Sequence, residues 1–476
     1  MNALDLSQEM SVRPFGFNVP CRQFVIEAQV TRDKRMPMVD EFALRVLRTC
    51  GVISISRLTA FFGFSKIEME IVLADLQARS LVILDADDVS LHPSANEMFR
   101  TVGSGPPTII EVEGWVNRLW FDLVSRSMIA APNLRNVRNL IELKQSPSTP
   151  AIAEDFARDA FQTNFREYLL TVRRIRNPES LSLYAVTSVQ AARYSYAQIT
   201  GGQVLRYDPT PRIESTLDLA ETDTPQRVRQ LTDAMTQALN LCHDPEPSVN
   251  AQEEYERLVG SNLLTLSRSD GTFLDIRRWL ELQSKRDASG GQAFLGTSYL
   301  EANRKAFSQM LERALDARKF EGESVVDVVW FRPGGSLWGT SEALRDSISD
   351  IRAAIRRHSN GSARFQTTLV VPASITRDQR KWFGALFERG VAAQAGLLSP
   401  GIEVLLVRGI GAAVSVLAPL SKSTNVWLGE MTIRDADIDR IEKRLQWFEQ
   451  SGIAKTIWSP TTRSSNAEAE SVDGAV

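Results

Sequence analysis

The chain has 476 residues, 43% of them hydrophobic, 24% charged and 8% aromatic, with a net charge of −3. That length predicts about two to four domains rather than one core, and the composition excludes a fibrous or wholly disordered chain. With no overall positive charge there is no whole-chain pull toward nucleic acid, so any contact with DNA must be local.

Cys21, Cys50 and Cys242 are odd in number and widely spaced, which predicts neither a disulfide framework nor a metal cage. The start, "MNALDLSQEMSVRPFGF", carries early acids and no apolar core of a secretion signal. No apolar run reaches the about 18 residues of a membrane helix. The expectation is a cytoplasmic protein with no membrane contact.

Residues 1–36 read as an irregular N-terminal arm, its basic "TRDKR" (Thr31–Arg35) a solvated cluster. "VDEFALRVLRTC" (Val39–Cys50) has near-helical apolar recurrence and is stopped by Gly51. A second helix follows from Ser56 and ends at Gly63, a residue suited to a left-handed turn. Ser65 and Glu68 form an S-x-x-E capping box for a third helix, which carries Ile67, Ile71, Val72, Leu76 and Ala78 at helical spacing. "LVILDADDVSLHP" then reads as two short strands around the acidic turn Asp85–Asp88.

Three helices and a hairpin in this order, over residues 37–100, resemble bacterial winged helix-turn-helix domains of the MarR and ArsR kind. The resemblance implies a fold, and leaves the partner of that fold open.

"TVGSGPP" (Thr101–Pro107) is a linker by composition. Residues 108–177 are expected to form a helical connector. It comprises a strand running into a helix with Trp115, Leu119, Trp120 and Leu123 buried, a second linker at Gln145–Ala151, and a long helix over 151–176. Residues 178–322 read as a mixed α/β region, with strands at Leu181–Val189 and Gly201–Asp208 followed by helical patterns. Residues 323–458 alternate strands and helices and predict an α/β domain with a partly parallel sheet, "RDQRKWFGALFERGVAAQAG" being one of its helices. The tail 459–476 lacks apolar periodicity and is expected to be disordered. The fold class is therefore mixed, multidomain α/β, with an N-terminal winged helix, a helical connector and α/β sheet domains.

The reading helix of a DNA-binding winged helix supplies donors to base edges and phosphates. Here Lys66–Arg79 sets two basic residues against Glu68, Glu70 and Asp75, and the hairpin tip is "DADD". Residues 1–100 hold 11 Lys and Arg against 13 Asp and Glu, which is not the electrostatic footprint of a DNA reader. Basic residues do gather elsewhere. The candidate nucleic-acid contacts are Arg57 and Lys66 beside the turn, Arg173, Arg174 and Arg176 in "VRRIRNP", and Arg352, Arg356 and Arg357 in "RAAIRRH".

Catalytic motifs fail letter by letter. "FRPGGSLWGTSEAL" matches neither glycine-rich nucleotide signature, and Val414 stands where "RGIGAAVSVL" would need its third glycine. Asp346 and Asp350, one helical turn apart, read as solvated surface. By strand order, 178–270 and 324–430 resemble the two halves of phospholipase D-like nucleases. That family requires H-x-K-x-x-x-x-D, whereas Ser94, Pro245 and Asn360 stand two places beyond His92, His243 and His358. The resemblance thus implies, as the alternative reading, a catalytically degenerate or diverged phosphodiesterase or nuclease-type protein, active or dead. No catalytic residue, cofactor or metal is expected. The first functional reading is a non-enzymatic DNA-associated or partner-docking protein, an accessory subunit of a bacterial regulatory or antiviral defence system, with DNA and protein as its partner classes.

Overall fold

A computed structural model describes residues 9–98, 108–129, 139–145, 154–207, 210–220, 223–260, 273–276, 278–279, 290–318, 324–360, 362–371, 375–393, 398–450 and 455–460. The linker expected at 101–107, most of the one at 145–151 and the tail beyond 460 lie outside them. The architecture is mixed α/β, built on three sheets among the described residues.

The expected N-terminal arm is instead a strand, β1 (Met10–Arg35), at 26 residues. Its side chains alternate, but the buried set changes parity, from Phe15, Phe17, Val19 and Cys21 to Phe24, Ile26, Ala28 and Val30. Its pairing with residues Thr108–Asp122 on one side stays in register through this change, while its pairing with Leu181–Tyr207 on the other slips between Arg22 and Phe24. By strand alternation the two halves bury opposite faces of the sheet. The phase break, with Pro14 and Pro20, makes the stretch look irregular in sequence.

A compact unit is inserted after β1: α1 (Met38–Cys50), β2 (Val52–Ser54), α2 (Ile55–Phe62), α3 (Lys66–Ala78), β3 (Val82–Asp85), β4 (Asp88–Leu91) and α4 (Pro93–Met98). Gly63 takes the left-handed conformation at φ 68° between α2 and α3. Ser65 and Glu68 cap α3 reciprocally. Leu44, Leu47, Leu58, Met69, Leu73, Leu76 and Val89 make a separate core, and the small sheet has the order β2-β4-β3.

The chain returns through β5 (Thr108–Asp122), which pairs antiparallel with Cys21–Arg35 of β1. The helix expected to begin within this stretch, at the head of the helical connector, is strand as far as Asp122. Trp115, Leu119, Trp120 and Leu123 fit a helical turn in isolation, but the unbroken ladder to β1 fixes period two, with Asn117, Leu119 and Phe121 on one face. The short strands β6 (Met128–Ile129) and β7 (Ile141–Glu142) follow. The long helix expected over 151–176 is broken at Asn164 into α5 (Glu154–Thr163) and α6 (Phe165–Thr171).

The two strands expected near 181–189 and 201–208 are one 27-residue strand, β8 (Leu181–Tyr207), with β9 (Pro211–Leu217) beside its end. The sheet runs β6-β5-β1-β8-β9. Helices α5 and α6 cover the outer half on one face, and α7 (Pro225–Asn240) covers the inner half on the other. Strands of 26 and 27 residues run roughly 85 Å at about 3.3 Å per residue. They form an arm with the inserted unit at its tip.

The second body begins at α8 (Val249–Val259). It contains β10 (Gly291–Leu295), α9 (Glu301–Asp316), β11 (Val325–Phe331), α10 (Ala343–His358), β12 (Arg364–Val371), α11 (Arg377–Leu386), β13 (Arg389–Ala392), β14 (Ile402–Val407), β15 (Gly411–Pro419), β16 (Asn425–Thr432), α12 (Asp435–Gln450) and β17 (Lys455–Trp458). The sheet order is β10-β16-β15-β14-β11-β12-β13-β17, with β11, β12 and β13 parallel. The helix expected from Arg377 into "RGVAAQAG" stops at Leu386. Phe387 is extended, and "RGVA" joins the sheet. Side chains of α9, α10 and α11 pack on one face, and those of α8 and α12 on the other.

The arm is rooted on two loops of this body. Thr297 donates its N–H to the Val12 carbonyl at 2.9 Å, and Gly16 donates to Thr340 at 2.7 Å. Arg13 pairs with Asp244 beside them.

Candidate interaction site

The side chains of α3 divide by burial. Met69, Leu73 and Leu76 face the core of the unit. The outward stripe is Ile67, Ile71, Ala74 and Ala78, all exposed, at spacings of four, three and four residues. Ile67 is 70% exposed and Ile71 64%. In the sequence these two share a helical spacing with Val72, Leu76 and Ala78, and apolar recurrence alone does not say which of two adjacent stripes is buried. Phe61 on α2 is also exposed, in a T-shaped contact with Phe62 at 5.2 Å.

On the helical wheel Glu70 flanks one side of the stripe, and Glu68 and Asp75 the other. The Ser65 backbone N–H, then its side chain, hold the Glu68 carboxyl below its ordinary range, so it is ionised at neutral pH. Asp85, Asp87 and Asp88 at the hairpin tip are exposed. Basic groups near α3 face its own acids: Lys66, with 87% of its side chain exposed, lies 3.9 Å from Glu70, and Arg79 pairs with Asp75 at 2.7 Å and with Asp40 of α1. Arg57 is exposed and, among the described residues, without an ion pair.

The other candidate cations are not brought together with this unit. Arg173 is spent on the arm, donating to Asn117 Oδ1 at 2.6 Å and to the Tyr168 hydroxyl at 2.7 Å, and lying 4.8 Å from the Trp115 ring centroid. Burial raises the Tyr168 pKa, and Arg173 offsets part of that rise. Arg174 and Arg176 are exposed nearby. Arg352 stacks 4.9 Å from the Phe365 ring centroid, Arg357 pairs with Glu312, and Arg356 is exposed, all on α10 of the second body. The three groups therefore belong to three separate cores. Asp346 and Asp350, expected to be solvated, have side chains 51% and 35% exposed and also pair with Arg304 across α9 and α10.

The histidines are dispersed. His92 Nδ1 shares a hydrogen bond with Ser94 at 2.6 Å, His358 Nε2 lies 2.9 Å from Asp316, and the His243 carbonyl accepts from Ser336 N–H at 2.9 Å. Among the described residues no three His, Cys, Asp or Glu side chains converge as a metal site would require, and no helix is long and apolar enough to cross a membrane.

Two interior features were invisible in the sequence. Glu403, 1% exposed in β14, accepts hydrogen bonds from Trp338 Nε1 at 2.8 Å, Trp330 Nε1 at 2.9 Å, Ser298 Oγ at 2.8 Å and Ser415 Oγ at 3.1 Å. Beside it, burial and then the Glu403 charge raise the Tyr299 pKa. Burial lowers Arg332 to about 10. These groups fasten the two loops that root the arm. A cleft of about 920 Å³ lies between the arm root and α9, lined by Ser11, Gln203, Asp218, Asn303, Arg304 and Asp346 among others. Most of its charges pair with one another, Arg304 with Asp346 and Asp350 and Lys305 with Glu301, while Asp218 accepts from the Thr200 hydroxyl at 2.9 Å.

No family model matches the chain, and no curated protein matches it. Among solved structures, the archaeal chromatin protein TrmBL2, described as showing a novel mode of DNA binding, aligns with 89% of this chain and 94% of that one. The identity is 9% and the TM-score 0.22, an overlap too poor to carry an argument about fold or function.

Proposed function

We propose that the unit at the tip of the arm is a winged helix that docks on a protein instead of reading DNA, and that the chain is a non-enzymatic adaptor built to present it. The observation that carries this reading is the outward stripe of α3, where Ile67 and Ile71 stand 70% and 64% exposed. A helix entering the major groove needs donors on that stripe. An apolar stripe with anchors four, seven and eleven residues apart is what a helix laid in a protein groove presents. Burying Ile67 and Ile71 in a partner would contribute roughly 1.5–3 kcal/mol each.

With Glu70 and Asp75 paired to Lys66 and Arg79, the charges that select the partner's chemistry are Glu68 on the flank and Asp85, Asp87 and Asp88 at the hairpin tip, for which no ion pair is present among the described residues. The fitting surface is an apolar groove rimmed by Lys or Arg, because complementary charge speeds encounter and excludes wrong partners. The same charges repel a phosphate backbone.

The test is a photo-crosslinking amino acid placed at position 67 or 71 of the full chain, expressed in its native cells. The expected result is one predominant protein adduct, lost when the other isoleucine is changed to lysine. Adducts to nucleic acid from these positions overturn the reading.

A further inference from the structure

Among the described residues, the outer half of the arm leaves an open edge, and strand β6 covers β5 at Trp120 and Phe121. Among the described residues no strand pairs with the outer side of 108–119. A free edge of this length is a template for another strand. Gly114 stands near its midpoint. A Cβ built there meets nothing within 4 Å, and its φ is not in the left-handed range, so neither packing nor backbone within this chain calls for glycine. A glycine weakens a strand interior and marks a close approach by another backbone. On the same solvent face, two residues to either side, Val112 and Val116 are 55% and 65% exposed.

We propose that β5 pairs antiparallel with β5 of a second copy of this chain, about a two-fold axis through Gly114. Pairing in this register sets Gly114 against its counterpart and Val112 against Val116 of the other copy, twice by symmetry. On the opposite face Glu113 meets Trp115 and Glu111 meets Asn117, so no like charges oppose each other across these pairs. Both exposed valines lose water, and the two three-stranded arms become one continuous sheet. A foreign extended peptide would have no reason to match a pattern symmetric about Gly114, and for that reason the second copy is the assigned occupant.

Cysteine scanning and charge reversal test the register, in a Cys50→Ser background that removes the exposed native thiol. Gly114→Cys chains should form a disulfide dimer, since opposed Cα atoms in an antiparallel pair lie about 4.5–5.5 Å apart, within disulfide range. Val112→Cys alone should not cross-link, and should do so when mixed with Val116→Cys chains. In sedimentation, wild type should be a dimer, V112K/V116K and V112E/V116E each a monomer, and their equimolar mixture a dimer again. These positions are on the surface, so near-identical circular dichroism is the check that the variants fold. A wild type that stays monomeric at every concentration overturns the proposal. So does a dimer indifferent to the lysines, a mixture that does not re-pair, or self-cross-linking at 112.

Discussion

Taking a carboxylate out of water costs several kcal/mol unless protein donors replace its hydration. Glu403 meets this requirement with two indole N–H groups and two hydroxyls, drawn from β11, β15 and both loops that root the arm. Glu403→Leu strands these donors in the interior and is expected to lower stability by about 3 kcal/mol or more. Glu403→Gln keeps one acceptor oxygen and should cost less, about 1 kcal/mol, both read from urea midpoints with unchanged slope. Cys21 gives a pH signature. Burial, followed by the nearby Asp122 charge, pushes its thiol up from about 9 to about 12. A raised pKa means that folding favours the protonated thiol. That contribution is complete below about pH 9 and is lost as pH rises through about 12. Native alkylation at pH 8 should therefore label exposed Cys50 and spare Cys21, which mass spectrometry of peptides checks.

At the scale of elements, what could be read from the residues was whatever depends on local chemistry. The αL glycine at 63, the Ser65–Glu68 box and the short strands at 82–85 and 88–91 follow from turn and cap preferences. Ser65→Ala removes the side-chain acceptor of that cap and should cost roughly 1 kcal/mol, measured by thermal melting of the full chain. What could not be read depends on partners distant in sequence. β1 looked irregular because its two halves are covered from opposite sides, and β5 satisfied both periods until β1 paired with it. Ile67 and Ile71 share the helical period with Met69, Leu73 and Leu76, and only the packing of α3 shows which stripe faces out. The buried Glu403 had no local signal, since its donors come from positions 298, 330, 338 and 415.

At the scale of the molecule, the arm places the inserted unit far from the body, and the basic groups that suggested DNA are divided among three cores. Arg173 stabilises the arm: Arg173→Ala should cost about 1–3 kcal/mol by leaving Asn117 and Tyr168 short of a charged donor. A DNA interface would show the opposite pattern, a loss of affinity at unchanged stability. The most direct test of the central claim is an equilibrium titration of duplex DNA against the wild-type chain and its Arg57→Ala/Lys66→Ala variant, at low and at moderate salt. A protein-docking α3 predicts coincident isotherms and no steep fall of affinity with salt. An affinity that drops steeply with salt and weakens further in the variant, as several phosphate contacts require, would contradict it.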